Sequence, residues 1–184
     1  MEIVRPEERY LESYKNALIR AISTVTAAHL EEAQRDLSEI ETDFEVFLSK
    51  QDDPLALGGD IKLSDGSLVP RLPGITRWMW DGQVCGEINF RWNVGTTNLP
   101  PHCLGHIGYE VFSWERNKGY ASEALKQILP EAIKLGMPFV ELTTDVDNLI
   151  SQKVIKNNGG VLHEKFIKPA AHGGTDGLRF RIYL

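Results

Sequence analysis

Apolar side chains in the first part of the chain recur at the spacing of an α-helix. Pro6 suits the first turn of a helix, and the apolar stripe that follows it consists of Tyr10, Tyr14, Ala17, Leu18 and Ala21. A second, more polar helix is predicted from Ala27 to Ile40, and Asp43 is a candidate start for a short third helix. The N-terminal region is therefore predicted to be helical.

Further along the chain the pattern changes to that of β-strands. The β-rich runs Thr76–Trp80 and Gln83–Trp92 are joined by Asp81-Gly82, a pair that predicts a two-residue hairpin. Leu104–Phe112 is predicted to be the next strand. The segment that precedes these strands, Gln51–Gly74, is rich in Gly, Pro and Asp and is predicted to be a surface loop.

The second half of the chain alternates between helix and strand patterns. A helix from about Gly119 to Leu135 carries an apolar stripe formed by Ala121, Leu125, Ile128, Ala132 and Leu135. The later predicted elements are a strand at Phe139–Thr144, a helix that Asp147 or Asn148 opens and that runs to about Asn157, and strands at Val161–Phe166 and Leu178–Leu184. This order predicts an α/β fold with a mixed sheet, helices on both faces and a right-handed crossover over 104–144.

Composition and charge narrow the class of protein. The 184 residues fit a single domain spanning the whole chain, and 42% hydrophobic with 25% charged residues is ordinary for a globular protein. A net charge of −6 without a basic stripe argues against nucleic-acid binding, and no apolar run reaches membrane-spanning length. The first residues are unlike a signal peptide, so the two cysteines favour free thiols in the reducing cytoplasm. We therefore expect a cytoplasmic protein with neither a nucleic-acid nor a membrane partner.

The segment Arg116–Ala121 lies between a predicted strand and a predicted helix. A helix N-terminus exposes unpaired backbone N–H groups and a partial positive charge, and both suit a phosphate group. Gly119 and Ala121 are small enough for the backbone to approach a diphosphate, while Arg116 and Lys118 add positive charge. The segment is a candidate diphosphate-binding loop, and the alternative is an ordinary strand-to-helix turn with two basic surface residues.

Residues 105–160 resemble the GNAT superfamily of N-acetyltransferases in two motifs. The first is Arg116-x-x-Gly119-x-Ala121, placed after a strand and opening a helix, and the second is Asn148 after the next strand. The chain is also similar to a group of predicted bacterial GNAT acetyltransferases with undefined acceptors, in the segments GHIGY at 105–109, KGYA at 118–121 and KVIKNNGG at 153–160. The resemblance thus rests on two motifs in the expected order and spacing.

The resemblance implies an N-acetyltransferase that uses acetyl-CoA as its co-substrate. Strands 105–112 and 139–144 should splay apart, with pantetheine between them and pyrophosphate on the amides of residues 117–122. The residues implied in coenzyme binding are Tyr109, Val111, Phe112, Arg116, Asn117, Lys118, Gly119, Tyr120, Ala121, Ser122, Asn148 and Ser151. An amine would then attack the thioester directly while a backbone amide of the splayed strand polarises the carbonyl.

The resemblance also divides the chain into a core and an acceptor side. The core is 75–184, with the coenzyme-binding motif at 104–160. The resemblance is weakest over 1–74, the helical and loop region where the family usually places acceptor-binding helices. We expect the acceptor to be a primary amine of a small molecule or peptide.

The groups that move protons are less clearly indicated. The family often uses a carboxylate on a central strand as the base, and the candidates here are Glu87, His106 and Glu110. The alternative for each is an ordinary strand residue that faces solvent. The family often places a Tyr on the second helix as the acid, but that position falls at Ile155. Tyr109 or Tyr120 could substitute, water could, or the thiolate could leave unassisted.

Two other functions compete with the transferase. The missing Tyr at Ile155 favours a catalytically silent acyl-CoA-binding regulatory module. A metal-dependent hydrolase would use His102, Cys103 and His106, with Cys85 as a fourth zinc ligand, but the ligand spacing expected for a closed zinc site is absent. We therefore expect no metal.

The segment Lys168–Gly177 has the composition of a flexible hairpin loop. In many relatives such a loop covers the acceptor site or contacts a partner subunit, which makes a homodimer one hypothesis for this chain. A solvated loop is the alternative.

Overall fold

The computed structural model describes residues 1–23, 27–63 and 66–184. The helices are α1 (Glu8–Ile22), α2 (Ala27–Gln51), α3 (Tyr120–Lys134) and α4 (Leu149–Asn157). The strands are β1 (Glu2–Val4), β2 (Asp52–Asp53), β3 (Ile61–Lys62), β4 (Leu68–Val69), β5 (Gly74–Trp80), β6 (Val84–Arg91), β7 (Ile107–Val111), β8 (Phe139–Asp145), β9 (Val161–Ile167) and β10 (Asp176–Tyr183).

The strands form two main sheets that meet at one point. The first has the order β1-β5-β6-β7, with β2 also paired to β5, and the second has the order β8-β10-β9. Each pairing within them is antiparallel, while β3 and β4 form a separate hairpin. The described residues form no ladder between β7 and β8, which are joined where His106 N donates to Glu141 O at 2.7 Å. The expected splaying of these two strands is confirmed, and the expected mixed sheet takes the form of two joined sheets.

Helix α3 covers one face of the first sheet. Its buried side chains are Ala124, Leu125, Ile128 and Ala132, and they pack in one cluster with Ile88, Phe90 and Leu142 from the strands. The predicted stripe was wrong at its ends, because Leu135 is 47% exposed and Ala121 is only half-buried. The helix ends as predicted, since Gly136 adopts a left-handed φ of 69° just after it.

The opposite face of the first sheet is covered by α1 and α2. Tyr14 of α1 stacks on Trp78 of β5 with ring centroids 4.3 Å apart, and on Phe47 of α2 at 6.1 Å. Because strand side chains alternate, the face that carries Trp78 also carries Glu87 and Glu110, its register partners on β6 and β7. These carboxylates therefore point towards the helical layer that the N-terminal region supplies.

The predicted third helix appears as the last part of α2. Asp43 leaves helical geometry with φ −162° and ψ 95°, and its Oδ1 accepts a hydrogen bond from Val46 N at 3.0 Å. This is the geometry of an N-cap, so Asp43 starts a new helical segment at a kink, as predicted. Among the described residues, no helix combines the length and apolar character needed to cross a membrane.

Two predicted boundaries needed correction, and four short strands were not predicted. The hairpin loop has three residues, because Trp80 pairs with Val84 after a register shift. The strand predicted from Leu104 starts only at Ile107, since the backbone of His106 bonds to Glu141 and Arg91. The segment predicted as a plain loop contributes β2, β3 and β4, and β1 was missed altogether.

Candidate active site

The loop between β7 and α3 has the backbone geometry of an anion-binding turn. A 3₁₀ turn at Ser113–Glu115 is followed by two left-handed residues, Asn117 with φ 66° and Gly119 with φ 81°. Gly119 is the N-cap of α3, and no side chain caps the helix there. The first amides of α3 are thus left without a side-chain acceptor, and together with the helix dipole they favour a phosphate group.

The two basic residues of this loop are held by local contacts. Lys118 Nζ donates to Glu115 Oε2 at 2.7 Å, and Gln83 Nε2 donates to Glu115 Oε1 at 2.8 Å, so the buried Glu115 carboxylate is compensated. Arg116 Nε donates to Val111 O at 3.2 Å. The positive charge of Lys118 is therefore paired with Glu115, while Arg116 is hydrogen-bonded to the end of β7.

Alternation along β7 determines which of its backbone groups face the gap between the sheets. Phe112 N donates to Cys85 O at 3.0 Å. Glu110, two residues before Phe112, pairs with Glu87. Phe112 and Glu110 therefore direct their backbone groups towards β6. In an antiparallel pair the intervening residues direct their N–H and C=O groups to the other side. Tyr109 and Val111 therefore present backbone groups towards the open side of β7.

The side chain of Tyr109 crosses this gap to α4. Its hydroxyl donates to Ser151 O at 3.4 Å, and burial raises the pKa of the phenol. Asn148 is the N-cap of α4, because its Oδ1 accepts from Ser151 N at 3.0 Å. The structure thus places Tyr109, Asn148 and Ser151 together beside the splay, which is the gap between β7 and β8.

Asn158, at the end of α4, ties this helix to the start of α3. Its Nδ2 donates to Ser122 O at 3.2 Å, to Ser122 Oγ at 3.0 Å and to Val154 O at 2.9 Å. The loop before α3 and the helix that carries Ser151 are therefore held in a defined relation. From the sequence, Asn158 was predicted only as part of the motif at 153–160.

Glu87 lies half-buried on β6 under the α1 and α2 layer. Its Oε2 accepts a hydrogen bond from the Tyr14 hydroxyl at 3.2 Å, and the same hydroxyl lies 3.1 Å from Asp36 Oδ2. Burial raises the pKa of Glu87 to about 7, and the negative charges of Asp36 and Glu32 add to this effect. A carboxyl group that titrates near neutral pH suits a general base.

A cavity connects Glu87 with the loop that follows β7. Its lining includes Glu87 and Asp36 as well as Phe112, Trp114 and Arg116. A second cavity, of about 390 Å³, shares Glu87 and Asp36 and extends along β6. Tyr14 and Asp36 were not predicted as site residues; the signal available was the polar run around Asp36 in the predicted second helix.

His106 has a different environment from Glu87. It is completely buried, and its Nδ1 accepts from Glu141 N at 2.9 Å. Nε2 has no hydrogen bond of good geometry among the described residues. Burial lowers the pKa of the imidazole, partly offset by the Glu141 carboxylate and the Thr97 backbone, and His106 lines neither cavity. Its visible contacts join β7 to β8.

The position at which the GNAT resemblance predicts a Tyr as the acid is part of the core. Ile155 is 1% exposed and packs in the same cluster as Leu125 and Phe180. The hydroxyl of Tyr120, one of the suggested substitutes, donates to Asp81, and this bond raises the pKa of Tyr120 to about 12. Of the two substitutes, Tyr109 is the one beside the splay.

The residues considered for a metal site each contact a different part of the protein. Cys103 Sγ lies 3.5 Å from Gly105 O, while His102 O faces His172 Nε2 at 3.0 Å. Burial raises the pKa of Cys85 to about 11, so this thiol stays protonated. Across the described ranges, no three His, Cys, Asp or Glu side chains come together as metal ligands would.

The gap between the two sheets and the uncapped start of α3 together suit a ligand that carries a diphosphate. The chain belongs to the GNAT acetyltransferases: the sequence model of the acetyltransferase (GNAT) domain matches residues 69–161. The chain is accordingly an acetyltransferase. No curated protein matches it.

Solved acetyltransferases share the fold over nearly the whole chain. The microcin C7 self-immunity acetyltransferase MccE, in complex with acetyl-CoA and AMP, is 14% identical with a TM-score of 0.64, covering 99% of this chain and 91% of that chain. Mycobacterium smegmatis RimJ, in complex with CoA-disulfide, is 16% identical with a TM-score of 0.63, covering 98% and 80%. RimL, a ribosomal L7/L12 α-N-protein acetyltransferase in complex with coenzyme A, is 13% identical with a TM-score of 0.60, covering 99% and 93%. At these identities the likeness shows the fold.

Proposed function

We propose that this protein transfers an acetyl group from acetyl-CoA to a primary amine of a small molecule or peptide, by direct attack of the amine on the thioester. Membership of the GNAT family supports the reaction class, and the similar folds of MccE and RimL hold acetyl-CoA and coenzyme A. The free cysteines Cys85 and Cys103 fit a reducing cytoplasm.

The donor side of the proposed site is the splay and the loop that follows it. The diphosphate binds the amides of residues 117–122, where the left-handed residues and the uncapped α3 expose N–H groups. Pantetheine runs along the open edge of β7, past the backbone of Tyr109 and Val111, towards Asn148 and Ser151. Phe112, which was predicted with them, donates its backbone N–H to Cys85 O on the other side. Arg116 and Lys118 flank the diphosphate.

One observation carries the proposal: a single cavity is lined by the Glu87 carboxyl and by the loop at the end of β7. This cavity, of about 50 Å³, places the Glu87 carboxyl next to the end of β7, so that an amine beside Glu87 would lie next to a thioester that arrives along that strand, which supplies proximity. Glu87 then accepts the ammonium proton, directly or through a water molecule, because its pKa of about 7 leaves it substantially ionised at neutral pH.

Tyr109 is the proposed acid for the departing thiolate. Burial raises its pKa, so the phenol keeps its proton at neutral pH. It also lies beside the path proposed for pantetheine, since its hydroxyl reaches Ser151 O across the splay. His106 is buried at the β7–β8 junction, and its contacts support a positioning role better than proton transfer from the amine.

Residues 1–74 form the acceptor side of the same domain in this proposal. Tyr14 and Asp36, from α1 and α2, contribute to the cavity wall opposite Glu87. The N-terminal helices thereby complete a site whose base lies in the core region 75–184.

Thiol release from acetyl-CoA, measured against a panel of amines, tests the reaction. We expect amine-dependent release that Glu87→Gln lowers about 10²- to 10⁴-fold, the usual size of a general-base contribution. Glu2→Gln, which replaces an exposed glutamate on β1, is the control and should keep full activity. Acetyl-CoA binding without turnover of any amine would instead favour the silent coenzyme-binding module.

A further inference from the structure

One face of β6 presents a polar side chain at every second position. Glu87, Asn89 and Arg91 are half-buried, alternate with the buried Ile88 and Phe90, and line the cavity of about 390 Å³. Since a strand advances about 3.3 Å per residue, the Cα atoms of Glu87 and Arg91 lie about 13 Å apart. The guanidinium group of Arg91 reaches back to Asn89, which lies two positions, or about 7 Å, from Glu87, so the proposed base and the guanidinium group face one cavity at closer range than their Cα atoms.

Arg91 differs from the other basic side chains that line this cavity. Those are each paired with a carboxylate: Arg35 with Asp36 at 3.2 Å, Lys50 with Glu39 at 2.9 Å, and Arg71 with Asp53 at 4.0 Å. Within the described part of the chain Arg91 has no carboxylate partner; it donates to the amide oxygen of Asn89 and lies 3.9 Å from Cys103 Sγ. A half-buried cation whose contacts are all neutral is poorly compensated and would be stabilised by an anion.

Gly108 leaves the space that this arrangement requires. It lies opposite Asn89 in the β6–β7 register. A Cβ atom at position 108 would lie 3.2 Å from Asn89 Oδ1 and 3.3 Å from Arg91 Nη2. The missing side chain therefore allows Asn89 to hold the guanidinium group against the strand.

We propose that Arg91, oriented by Asn89, binds an anionic group of the acceptor, so that the acceptor class is a primary amine that also carries a carboxylate or a phosphate. The inference rests on the proposed function, because it takes Glu87 to mark where the amine reacts. A guanidinium group binds either anion through two parallel hydrogen bonds. Because the guanidinium group contacts Asn89, two positions from Glu87 on the same face, the acceptor's amine and anion should lie about 7 Å apart, farther than in an α-amino acid.

Thiol release with matched acceptors tests this inference. The probes are 6-aminohexanoate, its neutral amide 6-aminohexanamide, 6-aminohexyl phosphate and glycine. We expect kcat/KM for one or both long anionic probes to exceed that of the amide about 10- to 100-fold, the usual effect of a hydrogen-bonded charged group. Comparison of the carboxylate with the phosphate identifies which anion the site takes, and glycine should be a poor acceptor.

Variants assign the effect to Arg91. Arg91→Met should remove the preference for the anionic probes and leave kcat/KM for the amide unchanged, while Arg91→Lys should keep part of the preference. Lys50→Met is the control, because Lys50 lines the same cavity but is already paired with Glu39. Turnover of the acid and the amide at equal rates in the wild-type protein, an equal loss on both in Arg91→Met, or glycine as the best acceptor would overturn the inference and leave the transferase reaction standing. Absence of turnover with every amine would overturn both.

Discussion

The hydroxyl of Tyr14 lies 3.2 Å from Glu87 Oε2, so the first helix contacts the proposed base of the core directly. The same hydroxyl reaches Asp36 at 3.1 Å, and burial raises the pKa of Tyr14, which keeps the phenol a neutral donor. A neutral donor favours the ionised form of a carboxyl group. Tyr14 therefore limits how far burial and neighbouring charges raise the pKa of Glu87.

Tyr14→Phe should shift the pH dependence of acetyl transfer upwards. Without the hydrogen bond, the pKa of Glu87 rises above about 7, and less of the base is ionised at neutral pH. We expect several-fold lower kcat/KM at pH 7 and near wild-type activity at pH 9, measured as a full pH–rate profile. Tyr10→Phe on the same helix should leave the profile unchanged. A uniform loss at every pH would instead indicate a packing role, since Tyr14 also stacks on Trp78.

Glu87→Gln should stabilise the protein at alkaline pH. The pKa of Glu87 is raised from 4.5 to about 7 in the folded protein, so its favourable contribution is complete below about pH 4.5 and is lost as pH rises through about 7. A shift of this size corresponds to about 3 kcal/mol at most. Thermal unfolding at pH 5 and pH 8 should show Gln raising the Tm, relative to wild type, by several degrees more at pH 8 than at pH 5. An equal difference at both pH values would show that Glu87 titrates normally.

Gly119→Glu should abolish acetyl-CoA binding. Position 119 has a φ of 81°, caps α3 and lies where the diphosphate is proposed to bind, so a carboxylate there adds bulk and like charge. Isothermal titration with acetyl-CoA should show at least a 100-fold weaker Kd. Gly136→Glu is the matched control, because it places the same side chain at φ 69° beyond the other end of α3. Unchanged affinity in Gly119→Glu would contradict the assignment of the loop.

The core was predictable because its periodicities are local. Strand alternation around Ile88 and the glycine after α3 mark elements within a few residues of chain, and their bounds were nearly right. The two coenzyme motifs are also local, since Gly119 and Asn148 each open the helix predicted for them. A glycine conformation or an N-cap depends mainly on its own turn, which is why sequence alone indicates it.

The acceptor side could not be predicted, because its contacts join residues that are far apart in the sequence. The contact between Tyr14 and Glu87 joins positions 73 residues apart and depends on how α1 packs on the sheet. Among the described residues, Arg91 lacks a carboxylate partner because the carboxylates near the cavity pair with Arg35, Lys50 and Arg71 instead. Such properties depend on tertiary packing, so Glu87 could be predicted from the sequence but its neighbours could not.

Ile155→Tyr tests whether a tyrosine at the position that the resemblance assigns to the acid would take part in the reaction. Ile155 fills the core tightly: it is 1% exposed, and a Cβ atom at Gly160 would lie 2.3 Å from Ile155 Cγ2. A tyrosine there must overpack the core, which lowers the free energy of unfolding by about 1–3 kcal/mol.

Because this side chain points into the core rather than towards the splay, Ile155→Tyr should not raise kcat. Ile155→Val is the control, with a loss of about 0.5–1.5 kcal/mol from the missing methyl group and unchanged kcat. Thermal unfolding and thiol-release kinetics on both variants measure the two effects separately. A more active Ile155→Tyr enzyme of unchanged Tm would show instead that position 155 reaches the leaving thiolate, and Tyr109 would then lose its proposed role as the acid.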